Sequence, residues 1–345
     1  VPASDSLETL LKVEALAIEV GLGLVRYVDG GASSPLLRRI AGIRRQLASE
    51  LGYVLPAVKV TDNLTLGSRE YVVLLKGERL ARFELIPGCE LAIPAGASEP
   101  LRDGQSTREP AFGMPAWWVP AERAELVRAS GYTVVDPVTV LGTHLAELVR
   151  RHAHELFSRQ DAKKLVDRVA ADNPKVVEDL VPKLLPLATV QRVLQNLLRE
   201  RVAVRDGASI LEALGEAAGM TRNPVLLTEY VRQTIRRTVV KPYMNANGDL
   251  PAYFVDPSIE QAVESAVEHG EQNSHLGLAP QIIRDVLARF ESRIATTGVP
   301  SVAVTSSGAR YFLRQVLEPS PSNVFFLAHS EVPPGVKVVS LGVIQ

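Results

Sequence analysis

The stretch from Thr107 to Arg168, TREPAFGMPAWWVPAERAELVRASGYTVVDPVTVLGTHLAELVRRHAHELFSRQDAKKLVDR, constrains the fold more than any other part of the chain. It joins a tight loop to a long amphipathic helix. In Glu109-Pro-Ala-Phe112-Gly-Met-Pro115, two prolines fix φ and Gly113 permits a sharp reversal, which holds Phe112 at a set position before a Trp-Trp-Val strand begins. A preset aromatic is a ready anchor for a partner. Further on, Asp136-Pro137 has the chemistry of a helix cap followed by a first helical residue. Val140, Leu141, His144, Leu145, Leu148 and Val149 form the apolar side of the helix that it starts.

With 345 residues, the chain is too long for one ordinary core and should divide into roughly two to four domains. A hydrophobic content of 46% with 22% charged residues describes a globular chain, neither disordered nor membrane-spanning. Lys+Arg 38 against Asp+Glu 39 leaves a formal net charge of −1, so no global charge drives binding to a phosphate backbone, although local basic patches remain open. The single cysteine, Cys89, excludes an internal disulfide and a multi-cysteine zinc site. No apolar run reaches the roughly 18 to 20 residues that cross a bilayer. The abrupt start without Met leads to the expectation of an excised, soluble domain.

Taken in order, residues 1–14 form a lead-in linker in which Leu7, Leu10 and Leu11 are spaced as a small helical stripe, expected to pack on an adjacent copy. From Ala15, EALAIEVGLGLVRYVD reads as a buried strand broken by Gly21 and Gly23. A helix follows with Ser33 or Ser34 as cap, Pro35 first, and Leu36, Ile40, Ile43, Leu47 and Leu51 on one stripe; Arg38, Arg39, Arg44 and Arg45 lie on its other face, which reads as solvated by default and as an anion or acidic-partner patch in the alternative. Val54 to Val60, Glu70 to Lys76 and Leu80 to Leu85 read as strands, giving an α+β first domain. Pro87 to Thr107 is broken into short strands and turns, where a domain insertion is tolerated. From 157 to 237 the chain is helical, with VAVRD (202–206) read as a strand that gives the bundle a winged-helix flavour; from 238 to 345 strands and helices alternate as in a parallel or mixed sheet. The fold class is α+β multidomain: an α/β first domain, a small inserted α+β domain, a helical third domain and an α/β fourth domain.

The residues bear on three classes of function. For an enzyme, His144, His152 and His154 lie near Glu147 and Glu155 but lack metal-ligand spacing, Cys89 lacks a nucleophile's surroundings, and no phosphate-cradling glycine loop is present, so no catalytic, metal or cofactor residue is assigned. A winged-helix nucleic-acid binder would use Arg192, Arg199, Arg201, Arg205, Arg232, Arg236 and Arg237, but Glu200, Asp206 and Glu229 interleave with them. A protein-docking module would use Phe112, Trp117 and Trp118.

The third class gains weight because EPAFGMPAWW, GYTVVDPVTVLGTHL and HELFSRQDAKKLVDRV, together with SSPLLRRIAGIRRQLASELGYVLPAVKVTDNL and PKVVEDLVPKLLPLATVQRVLQNLLRERVAVRD, resemble the cytoplasmic half of the FlhA/SctV (FHIPEP) export-gate family of bacterial flagella and type III secretion systems. The resemblance covers nearly the whole chain. It implies a first domain over 15–87 and 137–156, a small domain inserted at 88–136, a helical domain over 157–237 and a C-terminal α/β domain over 238–345. It also implies a non-enzymatic platform, without cofactor, that docks export chaperones carrying late substrates in a dimple whose motif residues fall on Glu109, Phe112 and Thr143. The family's acidic position is usually Asp; Glu109 is one methylene longer, which keeps the charge and changes the hydrogen-bond reach. Further partners implied are components of the export ATPase complex and other copies in a nonameric ring, with no nucleic acid. The membrane would be met only through a preceding transmembrane half, at the cytoplasmic face of the bacterial inner membrane. The EPAFGMPA loop favours the flagellar branch over the injectisome branch.

Overall fold

The structure is a computed structural model of the chain and describes residues 13–31, 34–95, 101, 104–294, 300–320 and 323–345. Leu7, Leu10 and Leu11 lie outside the described residues. The backbone separates into two compact units, one running up to Ser49 and resuming over Val54–His152, the other comprising Glu50–Tyr53 and Ala153–Gln345.

In the first unit, β1 (Leu16–Val20) is buried because its LAIEV run serves a central strand. It pairs in parallel with β2 (Val58–Asp62) and antiparallel with β3 (Glu70–Leu75), which turns back into β4 (Glu78–Glu84). The sheet order is β2-β1-β3-β4. Helix α1 (Pro35–Leu51) carries the expected stripe, with Leu36, Ile40, Ile43, Leu47 and Leu51 all buried. Its first turn is capped by Ser34, whose Oγ accepts from Leu37 N at 3.1 Å. The strand expected to continue past Gly21 stops at Val20, and Leu22–Tyr27 coil into a 3-10 turn. The reason is a close approach: Gly21 N donates to Glu70 O at 2.8 Å, and a Cβ on Gly21 would lie 2.0 Å from Gly67 O, so only glycine fits. The strand expected from Val54 begins only at Val58.

The same unit holds a second, wholly antiparallel sheet of order β6-β7-β5-β8, built from β5 (Cys89–Pro94), β6 (Gln105–Arg108), β7 (Pro115–Pro120) and β8 (Tyr132–Val135). Helix α2 (Ala124–Ala129) covers it, and Ala92, Val119, Val127, Tyr132 and Val134 make its core. Helix α3 (Pro137–Arg151) follows, capped by Asp136, which accepts from Thr139 N at 3.0 Å.

The second unit opens with helices α4 (Ala153–Leu156), α5 (Arg159–Asp172), α6 (Pro174–Leu180), α7 (Leu187–Arg199), α8 (Gly207–Ala217), α9 (Pro224–Thr234) and α10 (Arg236–Val240). Val190, Val193, Leu194, Leu197, Leu211 and Leu214 are fully buried in this bundle. The expected strand at VAVRD is absent: residues 202–206 enter no ladder, Val202 and Val204 burying their side chains while Val204 N donates to Leu51 O at 2.8 Å.

Next come β9 (Leu250–Val255), α11 (Pro257–Glu264), a small hairpin of β10 (Val267–His269) and β11 (Ser274–Leu276), then α12 (Pro280–Arg293), β12 (Ser301–Thr305), α13 (Ser307–Leu317), β13 (Val324–Ala328) and β14 (Val338–Ile344). Helix α11 ends at Glu264, and Val267 starts the hairpin. The four long strands form a fully parallel sheet of order β13-β12-β9-β14, as strands separated by helices require. Among the described residues no helix is long and apolar enough to cross a membrane.

A buried ion cluster fastens this unit's helices to its sheet. Glu200 lies between two arginines that are 0% exposed: Arg232 Nη1 donates to Glu200 Oε2 at 2.8 Å, and Arg310 Nη2 donates to Glu200 Oε1 at 3.1 Å. Arg310 also grips Glu229, Nε to Oε2 at 2.8 Å, and Arg232 grips Glu331, Nη2 to Oε2 at 3.1 Å. Burial by itself would raise the Glu200 carboxyl, but Arg310 first and Arg232 next overcome it and hold it down to about 2.

Candidate partner-docking site

The loop of residues 109–114 links β6 to β7, and its conformation is locked from below by side chains rather than by a ladder. Glu109 is 4% exposed, and its carboxylate accepts the backbone N–H groups of Phe112 and Ala111, the latter at 3.0 Å. Its main chain closes the turn: Glu109 N donates to Met114 O at 2.9 Å, and Gly113 N donates to Glu109 O at 3.0 Å. Gly113 has φ +72°, a left-handed conformation that disfavours any side chain, so the reversal read from the sequence is present. The result is an aromatic turned outward, with Phe112 42% exposed and Met114 beside it in sequence 38% exposed.

The sequence treated three aromatics alike, and the structure separates them. Trp118 is buried, and Trp117 packs edge-on against Tyr132 with ring centroids 6.2 Å apart. Both tryptophans serve the sheet. Phe112 is the most exposed of the three, Trp117 being partly buried.

Thr143 reaches the site through α3. Thr143, Glu147 and Arg151 recur every fourth residue and so share one helix face. Arg151 ties that face to the loop, its Nη2 donating to Ala111 O at 3.0 Å while its Nε donates to Glu147 Oε1 at 3.0 Å. Thr143 itself is half-buried. Of the three motif residues, then, Phe112 is offered outward, Thr143 stands on the helix face that holds the loop, and Glu109 is turned inward. The Glu109 carboxylate folds back over the N–H groups of its own loop.

The supporting residues were not assigned from the sequence. The Glu147–Arg151 pair was legible as an i, i+4 ion pair. Tyr71 and His144 were not, because they lie 73 residues apart; they share a 2.7 Å hydrogen bond between Tyr71 Oη and His144 Nδ1. His144, on the apolar side of α3, is buried, and burial first and Arg151 second push its imidazole down to about 4. Burial, with the Glu109 charge adding to it, holds the Tyr71 phenol protonated well above its usual range. Among the described residues no group of His, Cys, Asp and Glu side chains could hold a metal ion.

A pH dependence follows. His144 is neutral when folded and has an ordinary pKa of 6.5 when unfolded, so the unfolded chain takes up a proton first as pH falls. The stability His144 contributes is complete above about pH 6.5 and is lost as pH drops toward 4, at about 2 kcal/mol between pH 7 and 5. His144→Gln keeps a hydrogen-bonding partner for Tyr71 and cannot titrate, so its unfolding free energy should change less by about that amount when urea denaturation is run at the two pH values. An identical pH slope in both proteins would refute the burial of a neutral His144.

Comparison with known proteins identifies the chain. A family model described as the FHIPEP family matches residues 2–337. The flagellar biosynthesis protein FlhA of Bacillus subtilis is 33% identical over 344 residues, covering 99% of this chain and 51% of that protein. FlhA of Escherichia coli is 36% identical over 322 residues, covering 92% of this chain and 46% of that protein. The chain thus spans about half the length of the relatives it matches. Among solved structures, the Chlamydia pneumoniae CdsV and CdsO protein complex matches with a TM-score of 0.86 at 23% identity, over 97% of this chain and 98% of that one. The nonameric SctV-C of EPEC matches at 0.77 and 21%, over 96% and 98%. At those identities the likeness is one of fold. The resemblance carried by the EPAFGMPAWW loop and the helix behind it therefore extends along the chain, which belongs to the FHIPEP family.

Proposed function

We propose that this chain is the cytosolic docking platform of a flagellar type III protein export gate, and that it receives export chaperones with bound late substrates on Phe112. The observation that carries this reading is a half-exposed phenylalanine on a loop whose backbone is pinned by Glu109 and Arg151. An aromatic held in place before the partner arrives loses little conformational entropy on binding, which is how a few residues come to dominate an interface. Thr143 supplies a polar rim contact. Glu109 acts through Phe112, as a positioning residue.

Several larger statements belong to the same reading. Copies assemble in a ring, in line with the nonameric state named for SctV-C, and a component of the export ATPase complex is a second partner, in line with the CdsO complex named for CdsV. The platform hangs from a membrane-embedded half at the cytoplasmic face of the inner membrane, a reading supported by relatives about twice as long. It works by binding rather than by chemistry, and its four-domain division follows the family pattern. The flagellar branch is favoured over the injectisome branch by 33% and 36% identity to flagellar relatives. Nucleic-acid binding is disfavoured because Arg232 of the basic cluster is spent internally on Glu200 and Glu331.

Capture of a purified chaperone–substrate complex on the immobilised chain tests the assignment. Phe112→Ala should bind about thirtyfold more weakly, the equivalent of about 2 kcal/mol. Equal capture by a variant with unchanged circular dichroism would overturn it.

A further inference from the structure

We propose that a basic cleft in the second unit, distant in sequence from the Phe112 loop, binds an extended acidic peptide segment. The cleft encloses about 520 Å³ and is lined on one side by the α7 face bearing Arg192, Asn196 and Arg199, and on the other by Gln272, Asn273 and Ser274 of the β10–β11 turn, with Arg222 and Tyr311 completing it. Arg192, Arg199 and Arg222 are exposed, and among the described residues none of them forms an ion pair. Positions 192, 196 and 199 follow helical spacing, so both α7 arginines point from one face.

What distinguishes this cleft from an ordinary solvated basic surface is that each of its walls is fixed by a buried neighbour. Arg199 precedes Glu200, and Tyr311 follows Arg310, both in the buried ion cluster. Arg222 precedes Asn223, which is 1% exposed and clamps the β10–β11 turn: its Nδ2 lies 2.8 Å from both Gly270 O and Asn273 O and 2.9 Å from Ser274 Oγ, while its Oδ1 caps α9 at Val225 N, 2.9 Å away. Arg199 and Arg222 thus each stand next to a buried, hydrogen-bonded residue, opposite the polar side chains of Gln272, Asn273 and Ser274. Guanidinium groups in a concave cleft suit carboxylates, which they bind through paired N–H donors. Three arginines gathered in one cleft suit a short acidic segment better than a duplex, which needs cations spread along a face. Tyr311 is the one aromatic in the lining, too few for the stacking that single-stranded nucleic acid uses.

Fluorescence anisotropy on the whole chain tests this with a labelled Asp-rich peptide, its Asn-substituted counterpart, inorganic phosphate and a single-stranded oligonucleotide. The Asp-rich peptide should bind, weaken with added salt, and lose about tenfold or more in affinity on Arg199→Gln with Arg222→Gln. Both side chains are exposed, so circular dichroism should be unchanged. Asn223→Ala, which frees the turn while leaving every charge in place, should also weaken the peptide. Equal binding of the Asn-substituted peptide, equal binding by the arginine variant, or displacement by inorganic phosphate or the oligonucleotide at the peptide's own concentration would each overturn the proposal.

Discussion

Arg310→Met should lower the unfolding free energy of the second unit by about 3–5 kcal/mol, because it removes one of two cations from a buried set of three carboxylates. Arg310 holds both Glu229 and Glu200, and without it Glu229 loses its cation while Glu200 keeps only Arg232. The methionine fills much of the volume, so the loss is electrostatic. Burial already raises the Glu229 carboxyl above its ordinary value in the intact cluster. In the variant that carboxyl rises further, so the destabilisation is present in full at neutral pH and shrinks as pH falls and the buried group takes a proton. Arg314→Met is the control, since Arg314 pairs with the exposed Glu318 one turn away and should cost no more than about 1 kcal/mol. Circular dichroism follows the helices of the second unit, whereas tryptophan emission reports the first unit, which holds Trp117 and Trp118. A loss no larger than that of the control would mean that the cluster is not under electrostatic tension.

How much of this was legible in the sequence depends on the range of the interaction involved. The α1 stripe, the Asp136 cap and the α7 boundaries are local and were readable from spacing and capping chemistry. What failed was decided at a distance. Gly21 ends β1 because the backbone at Gly67 presses on it, and no periodicity reports that. VAVRD has the alternation of a strand, yet no strand lies beside it to complete a ladder. Arg232 read as one member of a surface basic cluster because its partner Glu331 lies 99 residues away. At the docking site the loop itself was legible, since prolines and Gly113 act locally. The support from Arg151 and the pairing of Tyr71 with His144 were not, because they join elements distant along the chain.

In the proposed docking site Glu109 and Phe112 act as one device, the carboxylate setting the loop and the ring meeting the partner. Phe112→Ala should cost about 2 kcal/mol or more of binding free energy. Glu109→Ala leaves the Ala111 and Phe112 N–H groups without their acceptor and should cost about 1–2 kcal/mol by loosening the loop. The decisive measurement is a calorimetric double-mutant cycle with a purified chaperone–substrate complex. If the device acts as one, the double variant binds no more weakly than Phe112→Ala alone, to within about 0.5 kcal/mol. Full additivity would show that the Glu109 carboxylate meets the partner directly, and an unchanged affinity for folded Phe112→Ala would remove docking from this loop altogether.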